Sequence, residues 1–256
     1  MPVLLPGTGA ELYCHFGTPF AAAPEAEQGP GQLLCLRSRP LDLSSVLGGG
    51  FIAVRFRAGM LGRFLALPMA EVSDGSFPLR ALWGRAGQVL AWRVREAQGW
   101  SARVGLLEAF LRARLVEAES RRPLPGVGAD PLLERAVACL YRQGSALGIG
   151  PLAASLGLGR RLLERRFARA MGLSPAGFRG LVRFQKTART LALVPETRVL
   201  DAALAQGYYD QAQCQHDFRQ RAGMTPRQWQ VLAAARSHFY KTPAWPGAMM
   251  RPPLFP

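Results

Sequence analysis

Residues 218–229 read FRQRAGMTPRQW, and 51 positions earlier residues 167–178 read FARAMGLSPAGF. At that constant shift Phe167 lies over Phe218, Gly172 over Gly223, Leu173 over Met224, Ser174 over Thr225, Pro175 over Pro226 and Phe178 over Trp229. Each unit has a mechanical reading. A helix ends at the glycine, which tolerates a left-handed cap. Ser174 or Thr225 caps the next helix, and the proline takes its first position, where no amide donor is needed. The aromatic side chain three residues later packs back on the core. The spacing predicts a short helix, a tight turn and a following helix, made twice.

The helix before each glycine carries the chemistry. In RRLLERRFAR, Leu163 and Phe167 face inward together on a 100° wheel. Arg161, Arg165 and Arg169 fall on the opposite face, with Arg166 on its flank and Arg160 at the start. Such a ridge suits a phosphate-lined groove, and arginine also grips guanine edges with two bonds. Shifted by 51, GYYDQAQCQHDF (Gly207–Phe218) is the same helix in the second unit. Asp210 is its expected N-cap, with Gln213 three residues on as in a capping box. Cys214 and Phe218 face the core. Gln211 opens the helix, and Ala212, His216 and Arg219 face out, flanked by Gln213, Gln215 and Gln220. Glutamine on such a face can pair with adenine.

Each of these helices follows another short one, PLAASLGLG (Pro151–Gly159) and RVLDAALAQGY (Arg198–Tyr208). A small-residue helix, a glycine turn and a polar-faced helix is helix-turn-helix grammar. Between the units a helix is expected from Ser174 to about Leu193, with Phe178, Leu181, Phe184 and Ala188 on one face. Arg183 and Lys186 on it are candidate phosphate anchors.

These residues resemble the paired helix-turn-helix signatures of AraC-type transcriptional regulators, over about residues 130–235. The resemblance implies a bacterial, cytoplasmic transcription factor whose two recognition helices enter successive major grooves of double-stranded DNA. Two departures stand out. Gly159 replaces the usual serine cap of the first reader. In the second, Gln213, Cys214 and His216 occupy places where the family tends to have histidine, an aromatic or leucine, and arginine. The first reader is therefore expected to dominate affinity.

Residues 1–126 hold 14 Arg/Lys against 10 Asp/Glu, and residues 127–256 hold 18 against 7. A basic half points to a polyanionic partner, although 30 of the 32 basic residues are arginine, a skew that genomic coding bias also produces. The first half reads as α+β. FIAVRFR alternates as a half-buried strand with Ile52, Val54 and Phe56 on one side, while MLGRFLALPMAEV and WSARVGLLEAFLRARLVEAE have helical spacing. VLLPGTGAELYCHFG, FIAVRFRAGMLGRFL and EVSDGSFPLRALWG are similar to the N-terminal domain of a subgroup of the same regulators. This implies a β-rich, cupin-like fragment for a small-molecule effector or for contacts, with RNA polymerase among the partners. Trp83, Trp92 and Trp100 either line a pocket there or form plain core. Leu106, Leu107, Phe110 and Leu111 form core or a dimer seam.

The expected division is an effector or interaction domain over 1–122, a linker over 123–130 (SRRPLPGVGADP gives the signal), the double helix-turn-helix domain over 131–240, and a loose tail over 241–256. Within it, Asp130 is the expected cap of a helix opened by Pro131. No apolar run approaches the roughly 18–20 residues that cross a bilayer. The start, MPVLLPGTGAELY, lacks the basic and apolar regions of a secretion signal. Cys14, Cys35, Cys139 and Cys214 are scattered and read as reduced thiols. An enzyme is not expected: no HExxH, CxxC or phosphate-binding glycine loop occurs, VLGGGF leads into a strand, and Glu11, Asp42, Glu71 and Asp74 show no partner pattern. No cofactor and no metal are expected.

Overall fold

A computed structural model of the chain describes residues 3–19, 29–42, 50–65, 67, 69–120, 130–144 and 147–235. The expected tail, and the expected linker up to residue 129, lie outside them. The strands of the N-terminal half are β1 (Val3–Leu4), β2 (Glu11–His15), β3 (Gly31–Leu34), β4 (Leu41–Asp42), β5 (Phe51–Arg55) and β6 (Ser76–Pro78). β5, β2, β3 and β6 form one open antiparallel sheet in that order, and β1 pairs with β4 in a separate ribbon. The described strands do not close into the barrel of a cupin.

Alternation along β2 explains why all of it is buried. Leu12 and Cys14 join Leu33, Cys35 and Ile52 in one core, while Tyr13 packs with Leu4 and Leu34 on the other face. Glu11, which shows no partner pattern in the sequence, sits on that second face. Its carboxylate accepts from Arg37 at 3.1 Å, from Arg55 at 2.9 and 2.6 Å, and from the Tyr13 hydroxyl at 3.1 Å. Burial opposes the Glu11 charge, but the two guanidinium groups prevail and hold its carboxyl below the usual range. Asp74 likewise accepts from the Ser38 amide and hydroxyl. Both sets of partners come from distant strands and loops, where sequence spacing gives no signal.

Three helices belong to this half: α1 (Met69–Val72), α2 (Leu79–Glu96) and α3 (Trp100–Ser120). MLGRFLALPMAEV is not one helix. It gives a 3-10 turn at Leu61–Arg63 and then α1, because Pro68 in between cannot donate an amide and disfavours helix before it. α2, which carried no expectation, kinks at Trp83 and Gly84. The tryptophans do not converge. The Trp83 indole donates to the Phe64 carbonyl at 2.9 Å and meets Phe110 edge-on, whereas Trp92 and Trp100 are 46% and 56% exposed. On α3, Leu107 is buried in the sheet's core, with Leu106, Phe110 and Leu111 packed partly against it.

The helical half contains α4 (Pro131–Gln143), α5 (Ile149–Ser155), α6 (Arg160–Met171), α7 (Pro175–Leu193), α8 (Val199–Ala205), α9 (Gln211–Ala222) and α10 (Pro226–Ala235). Asp130 caps α4 by accepting from the amides of Leu132 and Leu133. Phe178, Leu181, Phe184 and Ala188 make α7 the spine of the core, with Phe167 edge-on to Phe178 and Phe184 at 4.7 Å from Phe218.

The two halves share this core, since Leu5 and Leu36 belong to the helical cluster. Arg63 grips the Glu134 carboxylate with two bonds of 2.6 and 2.5 Å. Thr8 donates to Gln185 of α7 at 2.9 Å, and Ser73 to the Met171 carbonyl at the end of α6 at 3.3 Å. Gly59, at φ +79, lets the chain pass Val137 where an added Cβ would lie 3.3 Å from its methyls. α1 also rests against α6. No described helix is long and apolar enough to cross a membrane.

Candidate nucleic-acid interface

The repeated units fold by the same local rules. α6 ends at Gly172 with φ 69 and α9 at Gly223 with φ 68, both left-handed. Ser174 then accepts from the Gly177 amide at 3.0 Å. Thr225 forms a reciprocal box: its hydroxyl accepts from the Gln228 amide while Gln228 accepts from the Thr225 amide. Phe178 and Trp229 are both fully buried, and the Trp229 indole donates to the Ala188 carbonyl at 2.8 Å. Two helix-turn-helix pairs result, α5–α6 and α8–α9, joined by α7.

On α6, Leu163, Phe167 and Met171 are buried, and Arg160, Arg161, Arg165, Arg166 and Arg169 are exposed. These arginines are not equivalent. Arg160 pairs with Glu164 at 2.9 Å, and Arg166 lies 4.0 Å from Asp130 at the start of α4. Among the described residues Arg161, Arg165 and Arg169 meet no carboxylate. The cap at Gly159 makes no side-chain bond, so the first amides of α6 remain open to an anionic oxygen.

α9 is built differently. Asp210 caps it by accepting from the Gln213 amide at 2.7 Å. The Gln213 side chain folds back, and its oxygen accepts from the Tyr209 amide, one residue before the cap. A bidentate adenine contact uses both the oxygen and the nitrogen of a carboxamide, and in this rotamer the Gln213 oxygen is already engaged by the backbone. Gln211, Ala212, His216, Arg219 and Gln220 are exposed, and Gln215 is half-buried. Cys214 is buried packing. Burial, with Asp217 nearby, pushes its thiol up to about 12.

The two candidate anchors on α7 turn toward the protein. Arg183 is half-buried, lies 4.2 Å over the Tyr208 ring and donates to the Gly207 carbonyl at 3.5 Å. Lys186 lies 5.2 Å from the Tyr141 ring and reaches the Arg142 carbonyl at the end of α4. Its burial lowers the amine's basicity.

Sequence reasoning missed one cluster beneath the second unit. Asp217 is buried, accepting from the Tyr208 hydroxyl and from Arg221, each at 2.6 Å. The four-residue spacing of Asp217 and Arg221 was readable as a helical pair. The part of Tyr208, in the turn, was not. Among the described residues no cluster of His, Cys, Asp or Glu is placed to hold a metal ion.

A family model described as a helix-turn-helix domain matches residues 152–231. Among solved structures the chain is similar to ToxT from Vibrio cholerae in its P21 form, with TM-score 0.53 and 13% identity, covering 89% of this chain and 91% of that one. It is also similar to ToxT from Vibrio cholerae O395, with TM-score 0.50 and 12% identity, covering 91% and 92%. At such identity the likeness speaks for the fold, which extends over both halves. No curated protein matches the sequence.

Proposed function

From the premise that residues 152–231 are an AraC-type helix-turn-helix domain, and the chain a DNA-binding transcription regulator, we propose that α6 and α9 read two adjacent major-groove segments of one operator. The observation that carries this reading is the doubled unit: two helices with the same left-handed cap, each presenting a solvent-facing polar side. With α7 fixing their separation, the two base blocks lie about one helical turn apart, roughly 10 bp. Arg161, Arg165 and Arg169 supply the charge and the guanine-directed contacts of the first block. Arg160 and Arg166 border it as phosphate contacts, each already sharing a carboxylate.

The second block falls to Gln211, Ala212, His216 and Arg219, with Gln213 and Gln215 at its edge. Arg183 and Lys186 act chiefly by holding α7 to its neighbours. Residues 1–122 act as the effector or contact part and 131–240 as the DNA-binding part. The packing of α1 on α6 and of Thr8 on α7 supports a direct mechanical route between them, whether the first part answers a small molecule or RNA polymerase.

Selection from a random duplex library with the full chain, beside Arg165→Ala, tests the reading. Two enriched blocks one turn apart, with the first relaxed by the substitution, are expected. Salt-sensitive binding with no enriched sequence would leave a non-specific basic DNA binder instead. The folded-back Gln213 and the single unpaired arginine of α9 favour that rival for the second reader.

A further inference from the structure

We propose that Asp217 and Tyr208 are positioning residues for the second reader, setting the rotation of α9 in the groove through a buried ionic network anchored on α7. The inference rests on the two-reader reading given above. Neither residue is open to a DNA contact itself: Tyr208 is 3% and Asp217 7% exposed.

The network joins three elements. Tyr208 lies in the turn between α8 and α9, Asp217 and Arg221 lie on α9, and Arg183 lies on α7. One carboxylate oxygen of Asp217 accepts from the Tyr208 hydroxyl and the other from Arg221 Nε, each at 2.6 Å. The far face of the Tyr208 ring is covered by the Arg183 guanidinium, which also bonds the turn at the Gly207 carbonyl. Arg221 in turn lies against α7 at Gly180, where an added Cβ would stand 3.1 Å from Nη2. α7 is therefore touched at positions 180 and 183, one turn apart, and Asp217 links both touches.

On a helical wheel Asp217 and Arg221 occupy the flank between the buried Cys214–Phe218 side and the exposed Ala212–His216 side. Apolar packing at Phe218 holds α9 against the core but tolerates small rotations about its axis. The bond from Tyr208 to the Asp217 flank does not, because a short, charge-assisted bond depends on direction, and the Arg221 bond within α9 keeps the Asp217 carboxylate aimed at it. A few tens of degrees of rotation would swing His216 and Arg219 off their base edges while leaving the core contacts in place.

The first unit confirms that this is an addition rather than a rule of the motif. At the shift of 51 that relates α6 to α9, Asp217 corresponds to Arg166 and Arg221 to Ala170; the preceding helix and turn are offset by 50, so Tyr208 corresponds to Leu158, which has no hydroxyl to donate. There the flank carries the opposite charge and meets Asp130 at 4.0 Å, a longer and more exposed contact. The reader with fewer free arginines is thus the one with the tighter mount. Little unpaired charge on α9 leaves more of its discrimination to placed hydrogen bonds, which demand a fixed orientation.

The test uses the full chain with Asp217→Asn and, separately, Tyr208→Phe, which keeps the ring and its packing while losing one bond. Duplex selection reads the base preference of each block, and circular dichroism reads folding. The expected result is loss of at least about tenfold in base discrimination at the second block, an unchanged first block, and a helical signal equal to wild type, since one well-placed base contact is worth that much. If wild type selects two blocks and both variants do likewise, the proposal is overturned while the two-reader reading stands. If both blocks weaken in parallel with a fall in folded fraction, the network is a general stabiliser and the proposal also fails. A wild type that selects only one block removes the two-reader reading and takes the proposal with it.

Discussion

Arg165→Ala removes one of three guanidinium groups on α6 that meet no carboxylate among the described residues, whereas Arg160→Ala removes one already held by Glu164 at 2.9 Å. The pair separates charge as such from charge free to meet DNA. Each neutralised phosphate releases about 0.9 of a counterion, so losing one phosphate contact flattens the slope of log K against log salt by about 0.9. At 0.15 M salt that release corresponds to about fivefold in affinity, or about 1 kcal/mol. If Arg165 grips a guanine instead, the loss is about 1–3 kcal/mol and falls on one base position. Arg160 has less to give, because binding DNA must compete with its own surface pair, and its removal is expected to cost well under half of the Arg165 effect. Fluorescence anisotropy on a selected duplex at five salt concentrations measures both. An Arg160→Ala slope change equal to that of Arg165→Ala would refute the reasoning, as would an Arg165→Ala protein with unaltered slope and base preference.

Gly223 is left-handed with nothing within 4 Å of an added Cβ, so Gly223→Ala is expected to destabilise by about 1–2 kcal/mol through backbone strain alone. Gly150, on α5 with equally open space, gives the opposite sign: Gly150→Ala is expected to stabilise by about 0.5–1 kcal/mol, and thermal melts of both variants check the pair. His15 is buried and lowered to about 4, by desolvation first and by Arg95 second. The unfolded chain then takes up a proton below about pH 6.5 that the folded chain refuses, so stability falls by about 3 kcal/mol as pH drops from 6.5 to 4. Urea unfolding across that range should show the His15 share vanish in His15→Gln. Arg63→Ala leaves the largely buried Glu134 carboxylate without its two bonds and is expected to cost about 1.5–3 kcal/mol in urea unfolding.

The helical half was legible because its signals are local. Caps at Asp130, Ser174 and Thr225, left-handed glycines and four-residue apolar spacing each act within one or two turns, so the sequence alone places them. The buried face of α7 followed from the same periodicity. The N-terminal half was less readable because its organising contacts are long-range. Arg37 and Arg55 reach Glu11 across the sheet, and no spacing rule connects them. The candidate site divides in the same way. The exposed sides of α6 and α9 could be drawn on a wheel, but the wheel treats every outward arginine or glutamine as free. Glu164, Asp130 and the Tyr209 amide distinguish Arg160, Arg166 and Gln213 from their neighbours, and those partners depend on rotamers and on how α4 meets α6. Arg183 and Lys186 show the same limit, as outward spacing on α7 gave no hint that Tyr208 and Tyr141 cover them.

The shared core has a consequence for residues 127–256 made alone. Leu5 and Leu36 are 5% and 8% exposed inside the helical cluster, and cutting the chain removes both. Covering a leucine is worth about 1.5–3 kcal/mol, so their loss together with the Arg63–Glu134 pair subtracts several kcal/mol from a total that for domains of this size is about 5–15. The fragment should keep its helices but unfold at clearly lower urea than the full chain, as read by circular dichroism at 222 nm. Its DNA binding is the more informative measurement. If α1 restrains α6, the fragment frees the first reader and its affinity for the first block changes by more than its lowered folded fraction accounts for. Equal affinity per folded molecule would mean that the N-terminal half supports the fold of the DNA-binding half without acting on its reader.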